Sequence, residues 1–159
     1  MSGPSQQASV VLPRLLRELL QDGRTVRLEL TGHSMTPFIR SGDEVTIAPC
    51  PRGRPRPGDV VAYAAGVDRL VVHRIVGRAA GRLVARGDVA PSTDPPLRPD
   101  DVLGLVTRVE RRGRSVRIGL GFERRALAWL SRLGLLRGLA RLSAFSGRLG
   151  GHPPTPARF

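Results

Sequence analysis

Two periods of apolar spacing run along this chain, and the switch between them marks its organisation. Between residues 8 and 21, Val11, Leu12, Leu15, Leu16, Leu19 and Leu20 recur at the three- and four-residue steps that line one face of a helix. Pro13 suits a first turn and Asp22-Gly23 supplies a stop, so a short amphipathic helix is expected. From residue 25 the period becomes two. "TVRLEL" sets Val26, Leu28 and Leu30 on one side and charges on the other. Strand-like runs follow at "EVTIAP", "DVVAYAA", "RLVVHRIVGRA", "RLVARGD" and "VLGLVTRVERRGRSVRIGL", separated by Gly, Pro and Asp clusters. The series predicts a mainly β domain built from hairpins and ribbons. Beyond Leu120 the pattern turns helical again, rich in Leu, Ala and Arg, and "LGGHPPTPARF" reads as a loose tail. The expected units are an N-terminal helix over 1–24, a β-domain over 25–120, a basic helical segment over 121–148 and a tail over 149–159.

Composition sharpens this picture. At 159 residues, one domain is the simplest arrangement. Aromatics are only 4% of the chain, so the core must come from Val, Leu, Ile and Ala. All 26 basic residues are arginine, which removes lysine from any catalytic role. The charge is uneven. Residues 111–159 hold eleven Arg and one Glu, a net of +10, and residues 1–110 hold fifteen Arg and twelve acids, a net of +3. The segment "ALAWLSRLGLLRGLARLSAF" mixes Leu, Trp129 and Phe145 with Arg132, Arg137 and Arg141. That composition fits a helix lying on an anionic membrane surface, and equally a helix docked on the β-domain with its arginines in water. Nucleic acid is not the expected partner, because neither aromatic stacking positions nor a recognition fold accompanies the charge.

The N-terminus has no basic leader region, and Arg14, Arg17 and Glu18 interrupt its apolar residues, so a signal peptide is not expected. No apolar run approaches 18 residues, so neither is a transmembrane helix. A cytoplasmic or peripherally membrane-associated protein is the expectation. Cys50, the one cysteine, falls in the loop-like "APCPRGRPRPGD" and is not the expected nucleophile. With no paired Cys and no clustered His, neither a metal nor a cofactor is expected.

The chemistry concentrates in "LTGHSMTPFIRSGDEV". A serine hydroxyl becomes a nucleophile only with a base in hydrogen-bond reach and donors for the oxyanion. Of three histidines, His152 lies in the tail, and His33 adjoins Ser34 and so points to the opposite side of an extended segment. His73, in "LVVHRIVGR", is the histidine on a rigid element, where a base needs to be held. "ARGDVAPSTD" then offers Asp88 and Asp94, either of which would orient His73 and stabilise its imidazolium form. Gly32 lets the backbone approach a substrate closely, and Pro37 with Gly42-Asp43 turns the chain after Ser34.

The order "GHSMTPFIRSGDEV", "RPGDVVAY", "VVHRIVGR", "ARGDVAPSTD", "VLGLVTRV" resembles the type I signal peptidases and their LexA-like serine peptidase relatives, over about Leu28 to Val109. The resemblance implies the β-ribbon peptidase fold of that superfamily. It makes Ser34, followed by Met35, the nucleophile and His73 the base, as in the histidine branch of endoplasmic-reticulum, archaeal and sporulation-type enzymes. The later aspartate of that branch maps to Asp94, and Asp88 becomes an organiser of the loop, although both stay open. Where many signal peptidases carry a serine two residues before the nucleophile, this chain has Gly32, so oxyanion binding would rest on backbone donors. The implied activity is endopeptidase cleavage of a preprotein or leader peptide through a Ser-His-Asp site. The alternative is a catalytically inactive peptidase-fold module that binds or regulates. A self-cleaving repressor is not expected: the roughly 25 residues ahead of these blocks are too few for a helix-turn-helix domain, and the lysine is missing.

Overall fold

The computed structural model describes residues 5–51, 55–66 and 69–116. The expected basic helix over 121–148, the tail over 149–159 and His152 lie outside the described residues. Within them the protein is mainly β: one helix, α1 (Ser5–Gln21), precedes seven strands. These are β1 (Val26–Glu29), β2 (Glu44–Pro49), β3 (Val60–Ala65), β4 (Arg69–Ala79), β5 (Arg82–Arg86), β6 (Val102–Arg111) and β7 (Arg114–Ser115). They form one antiparallel sheet in the order β1-β2-β6-β3-β4-β5, with the short β7 paired to β6. Among the described residues no helix is long and apolar enough to cross a membrane.

The helix begins earlier than its apolar spacing suggests, so Pro13 sits inside it and not in a first turn. A proline there has no N–H to give the carbonyl four residues back, and its ring crowds that carbonyl. The helix persists because its far half is docked: Leu16 and Leu20 are buried on the sheet. Gly104 of β6 allows this close approach. A Cβ there would stand 2.9 Å from the Leu20 side chain and 2.6 Å from the Ala48 carbonyl oxygen.

Period two in the sequence becomes two cores on the two faces of the sheet. Val45, Ile47, Val60, Ala62, Val72, Val106 and Val109 join the helix leucines on one face. Val61, Tyr63, Ile75, Leu83, Ala85 and Leu105 pack on the other, closed over by Leu97 from the loop after β5. β3 is central and covered on both sides, which explains why "VVAYAA" is apolar throughout instead of alternating. The long run from Val102 splits into a hairpin because Arg112 and Gly113 take positive φ (50° and 72°), the backbone that a two-residue hairpin turn requires. Ala80 and Gly81 turn β4 into β5 in the same way.

Two features of this sheet place the site. First, β5 pairs only with the second half of β4, from Arg74 onward. Among the described residues the first half, Arg69 to His73, is paired with β3 alone, and no strand lies along its other edge. Second, residues 30–43 form a loop closed at its neck, where the Leu30 N–H donates to the Asp43 carbonyl (2.9 Å) and the Gly42 N–H to the Leu30 carbonyl (2.8 Å). That loop carries Ser34 toward the open edge of β4.

Candidate active site

The loop is fixed before its serine can be useful. Asp43, essentially fully buried, accepts the Arg40 backbone N–H at 2.8 Å and a bidentate pair from Arg111 of β6 at 2.8 and 2.7 Å. Arg111 also donates to the Phe38 carbonyl at 3.2 Å. Burial alone would raise the Asp43 pKa, but the hydrogen bonds from Arg111 and Arg40, with both cationic charges, bring it below the usual carboxylate value. The same pairing raises the Arg111 pKa.

Within this frame the Ser34 hydroxyl lies 2.9 Å from His73 Nε2, and His73 Nδ1 lies 2.7 Å from Asp94 Oδ2. With the ring proton on Nδ1, the chain of bonds runs in one direction: Ser34 O–H donates to Nε2, and Nδ1–H donates to the carboxylate. The His73 and Asp94 side chains are 13% and 19% exposed, enough to meet a substrate and little enough to hold their geometry. The structure thus brings together Ser34, His73 and Asp94. His33 is exposed and takes no part in the cleft.

Asp88 is elsewhere. It is fully buried and receives Arg74 Nε at 2.8 Å and Arg74 Nη2 at 2.9 Å. Alternation explains the pairing. In β4, His73 faces the cleft, so Arg74 must face into the molecule, where a guanidinium needs a carboxylate. Arg74 Nη1 also donates to the Gly58 carbonyl at 3.1 Å, and the guanidinium carbon stands 5.8 Å from the centre of the Phe38 ring. The pair ties the 87–94 loop to the strand that carries His73. Backbone bonds complete the tie: the Val89 N–H donates to the Ser34 carbonyl at 2.9 Å, and the Asp94 N–H to the Ala85 carbonyl at 2.9 Å.

Three residues given no role by sequence patterns belong to this arrangement. Arg74 is the first. Gly87 is the second: a Cβ there would come within 2.8 Å of both the Ser34 Cβ and its carbonyl oxygen, and 3.0 Å from His73 Nε2. Tyr63, 3% exposed, is the third. Its ring meets the His73 ring edge-on, with centroids 6.5 Å apart and planes at 64°. Burial pushes the Tyr63 phenol pKa strongly upward, and the charge and hydrogen bonding of Asp94 add to this. The signal for Tyr63 was its register. It pairs with Val71 across the β3–β4 ladder, which makes His73 its diagonal neighbour, but that is readable only once the pairing is known.

The cleft over these groups has a volume of about 360 Å3. Leu30, Met35, Ile39, Leu70 and Val72 give it apolar walls, and Arg40 and Arg69 line it as well. Gly32 lines it with φ +108°, a conformation that disfavours any other residue. Among the described residues, no group of three or more His, Cys, Asp or Glu side chains converges in the manner of metal ligands. No protein-family model matches the chain, and no curated protein matches it significantly.

Proposed function

We propose that this protein is a serine endopeptidase of the signal peptidase type, with Ser34 as nucleophile, His73 as general base and Asp94 as the group that orients it. The observation that carries the reading is the unbroken hydrogen-bonded series from Ser34 through His73 to Asp94, opening into a cleft beside a strand edge that no other strand pairs among the described residues. The five motif blocks support it, since they fall in superfamily order and the residues they nominate converge. The antiparallel frame supports a signal-peptidase or LexA-like β-ribbon domain in the same way.

The open edge of β4 offers its backbone to an extended peptide, which would add as a strand and lay its scissile bond across Ser34. Ser34 Oγ attacks the carbonyl carbon while His73 Nε2 takes the hydroxyl proton. Asp94 accepts from Nδ1–H and stabilises the imidazolium that forms. Backbone N–H groups around Ser34 receive the oxyanion, a contribution on the order of 100- to 1,000-fold per donor. His73 then hands its proton to the leaving amine, and water, activated by the same imidazole, hydrolyses the acyl-enzyme. The substrate class is a preprotein or leader peptide. An association of residues 121–148 with an anionic membrane belongs to this proposal as the means of meeting such substrates.

The test is intact-protein mass spectrometry after incubation with an alkyl fluorophosphonate. Ser34 Oγ attacks phosphorus, fluoride leaves, and the protein gains the phosphonyl mass. One adduct on wild type that is lost in Ser34→Ala and His73→Ala is the expected result. A folded wild-type protein that takes no adduct would overturn the enzyme reading in favour of a binding module.

A further inference from the structure

The arginines of the cleft have no task in the mechanism. Arg69 opens β4 and stands four residues before His73, so the alternation of an extended strand puts both side chains on one face. Arg40 lines the cleft from the loop that carries Ser34, six residues after it, and its Nε donates to the Pro37 carbonyl at 3.3 Å. Both arginines are exposed, and among the described residues neither guanidinium has a carboxylate within ion-pair distance. Other arginines around the sheet are matched: Arg74 by Asp88, Arg111 by Asp43, and Arg27 and Arg108 by Glu110. The one acid that lines the cleft, Asp94, is already committed to His73 and Tyr63. The cleft therefore combines apolar walls with two exposed arginines that, among the described residues, no salt bridge occupies.

We propose that Arg40 and Arg69 are specificity-determining residues, and that the preferred substrate is an extended peptide carrying an Asp or Glu close to the scissile bond. The inference rests on the endopeptidase reading and adds the substrate's charge to it. Four residues of strand span about 13 Å, so a carboxylate over Arg69 falls within about four residues of the bond held at Ser34. Such pairing with exposed arginines is screened by salt. It acts mainly on the encounter and on discrimination between substrates, with a factor of about two to five per contact.

The experiment is protection of Ser34 from the fluorophosphonate by short acetylated, amidated peptides of Ala, Ser and Val that differ in one residue, Asp, Asn or Lys, at each position in turn. Asp peptides are expected to slow labelling about three- to tenfold better than their Asn counterparts, and Lys peptides to protect least. The preference should fade between roughly 20 mM and roughly 0.5 M salt. It should drop in Arg40→Gln and Arg69→Gln but persist in Arg24→Gln and Arg98→Gln, exposed arginines outside the cleft that control for the charge of the whole protein. Ser34-dependent labelling with no protection, with protection indifferent to charge, or with a preference that survives Arg40→Gln/Arg69→Gln, overturns this proposal and leaves the endopeptidase standing. Absence of labelling overturns both.

Discussion

Asp88 and Asp94 lie six residues apart in one loop and have different partners, a buried arginine and His73, so under the proposed mechanism their substitutions should fail in opposite ways. Asp88→Ala takes away both acceptors that hold Arg74 Nε and Nη2 at a fully buried position. Breaking a buried, hydrogen-bonded ion pair from one side costs about 3–5 kcal/mol. The Phe38 ring stays against the guanidinium in the variant and offsets part of that loss. A net loss of about 3 kcal/mol is a large share of the 5–15 kcal/mol typical of a domain. Asp94→Ala removes the partly exposed carboxylate that meets His73 and Tyr63, at about 0.5–1.5 kcal/mol per hydrogen bond, but deprives His73 of its orienting partner. Labelling of Ser34 should then fall by about 100- to 10,000-fold in a protein that is still folded.

Urea denaturation followed by far-ultraviolet circular dichroism measures the first effect, and fluorophosphonate labelling of folded protein measures the second. Arg74→Leu/Asp88→Leu serves as the internal check. Replacing a buried pair with apolar groups is often close to neutral, so the double variant should be more stable than Asp88→Ala. A loss below about 1 kcal/mol in Asp88→Ala, or a double variant as unstable as the two single losses added together, would refute the idea that this pair anchors the loop.

Three further outcomes are expected. Gly87→Ala should fold yet lose Ser34 labelling by about 100-fold or more, because its Cβ would collide with the Ser34 backbone, which cannot move aside as a flexible side chain would. The chain's one tyrosine is Tyr63, so absorbance near 295 nm reads that phenol alone. Its pKa is raised in the fold, so the folded protein holds the proton more tightly than the unfolded chain. The stability this contributes is present below about pH 10 and lost as pH rises beyond it. Tyrosinate should appear only with alkaline unfolding, and Tyr63→Phe should slow labelling about tenfold, or ~1.4 kcal/mol, by releasing Asp94. A tyrosinate signal near pH 10 in folded protein counts against the contact. Asp43→Ala should cost about 2–3 kcal/mol at neutral pH. The wild-type Asp43 pKa is depressed, so its stabilisation is present above the unfolded carboxylate value and disappears as pH falls through the folded one; urea melts of both proteins, compared across the acid range, should converge there.

How far the sequence could be read follows from which interactions are local. The strands, the period-two faces and the nomination of Ser34 and His73 depend on spacing, on the absence of lysine and on the order of blocks, all visible along the chain. The difference between Asp88 and Asp94 came only through the family resemblance; local context gave none, because Asp88 follows a glycine, Asp94 stands before two prolines, and neither has a local partner. What separates them physically is the side chain next to His73. Since His73 must face the cleft, Arg74 must face the interior, and a buried guanidinium claims the carboxylate that the strand pairing brings to it. That claim fixes Asp88, Gly87 then lies directly under Ser34 and His73, and the remaining loop carries Asp94 to Nδ1. An arginine beside a strand histidine was therefore the physical signal for the loop's anchor, beside the one the resemblance supplied. It became legible only by asking what a charge on the inward face of an apolar strand would need.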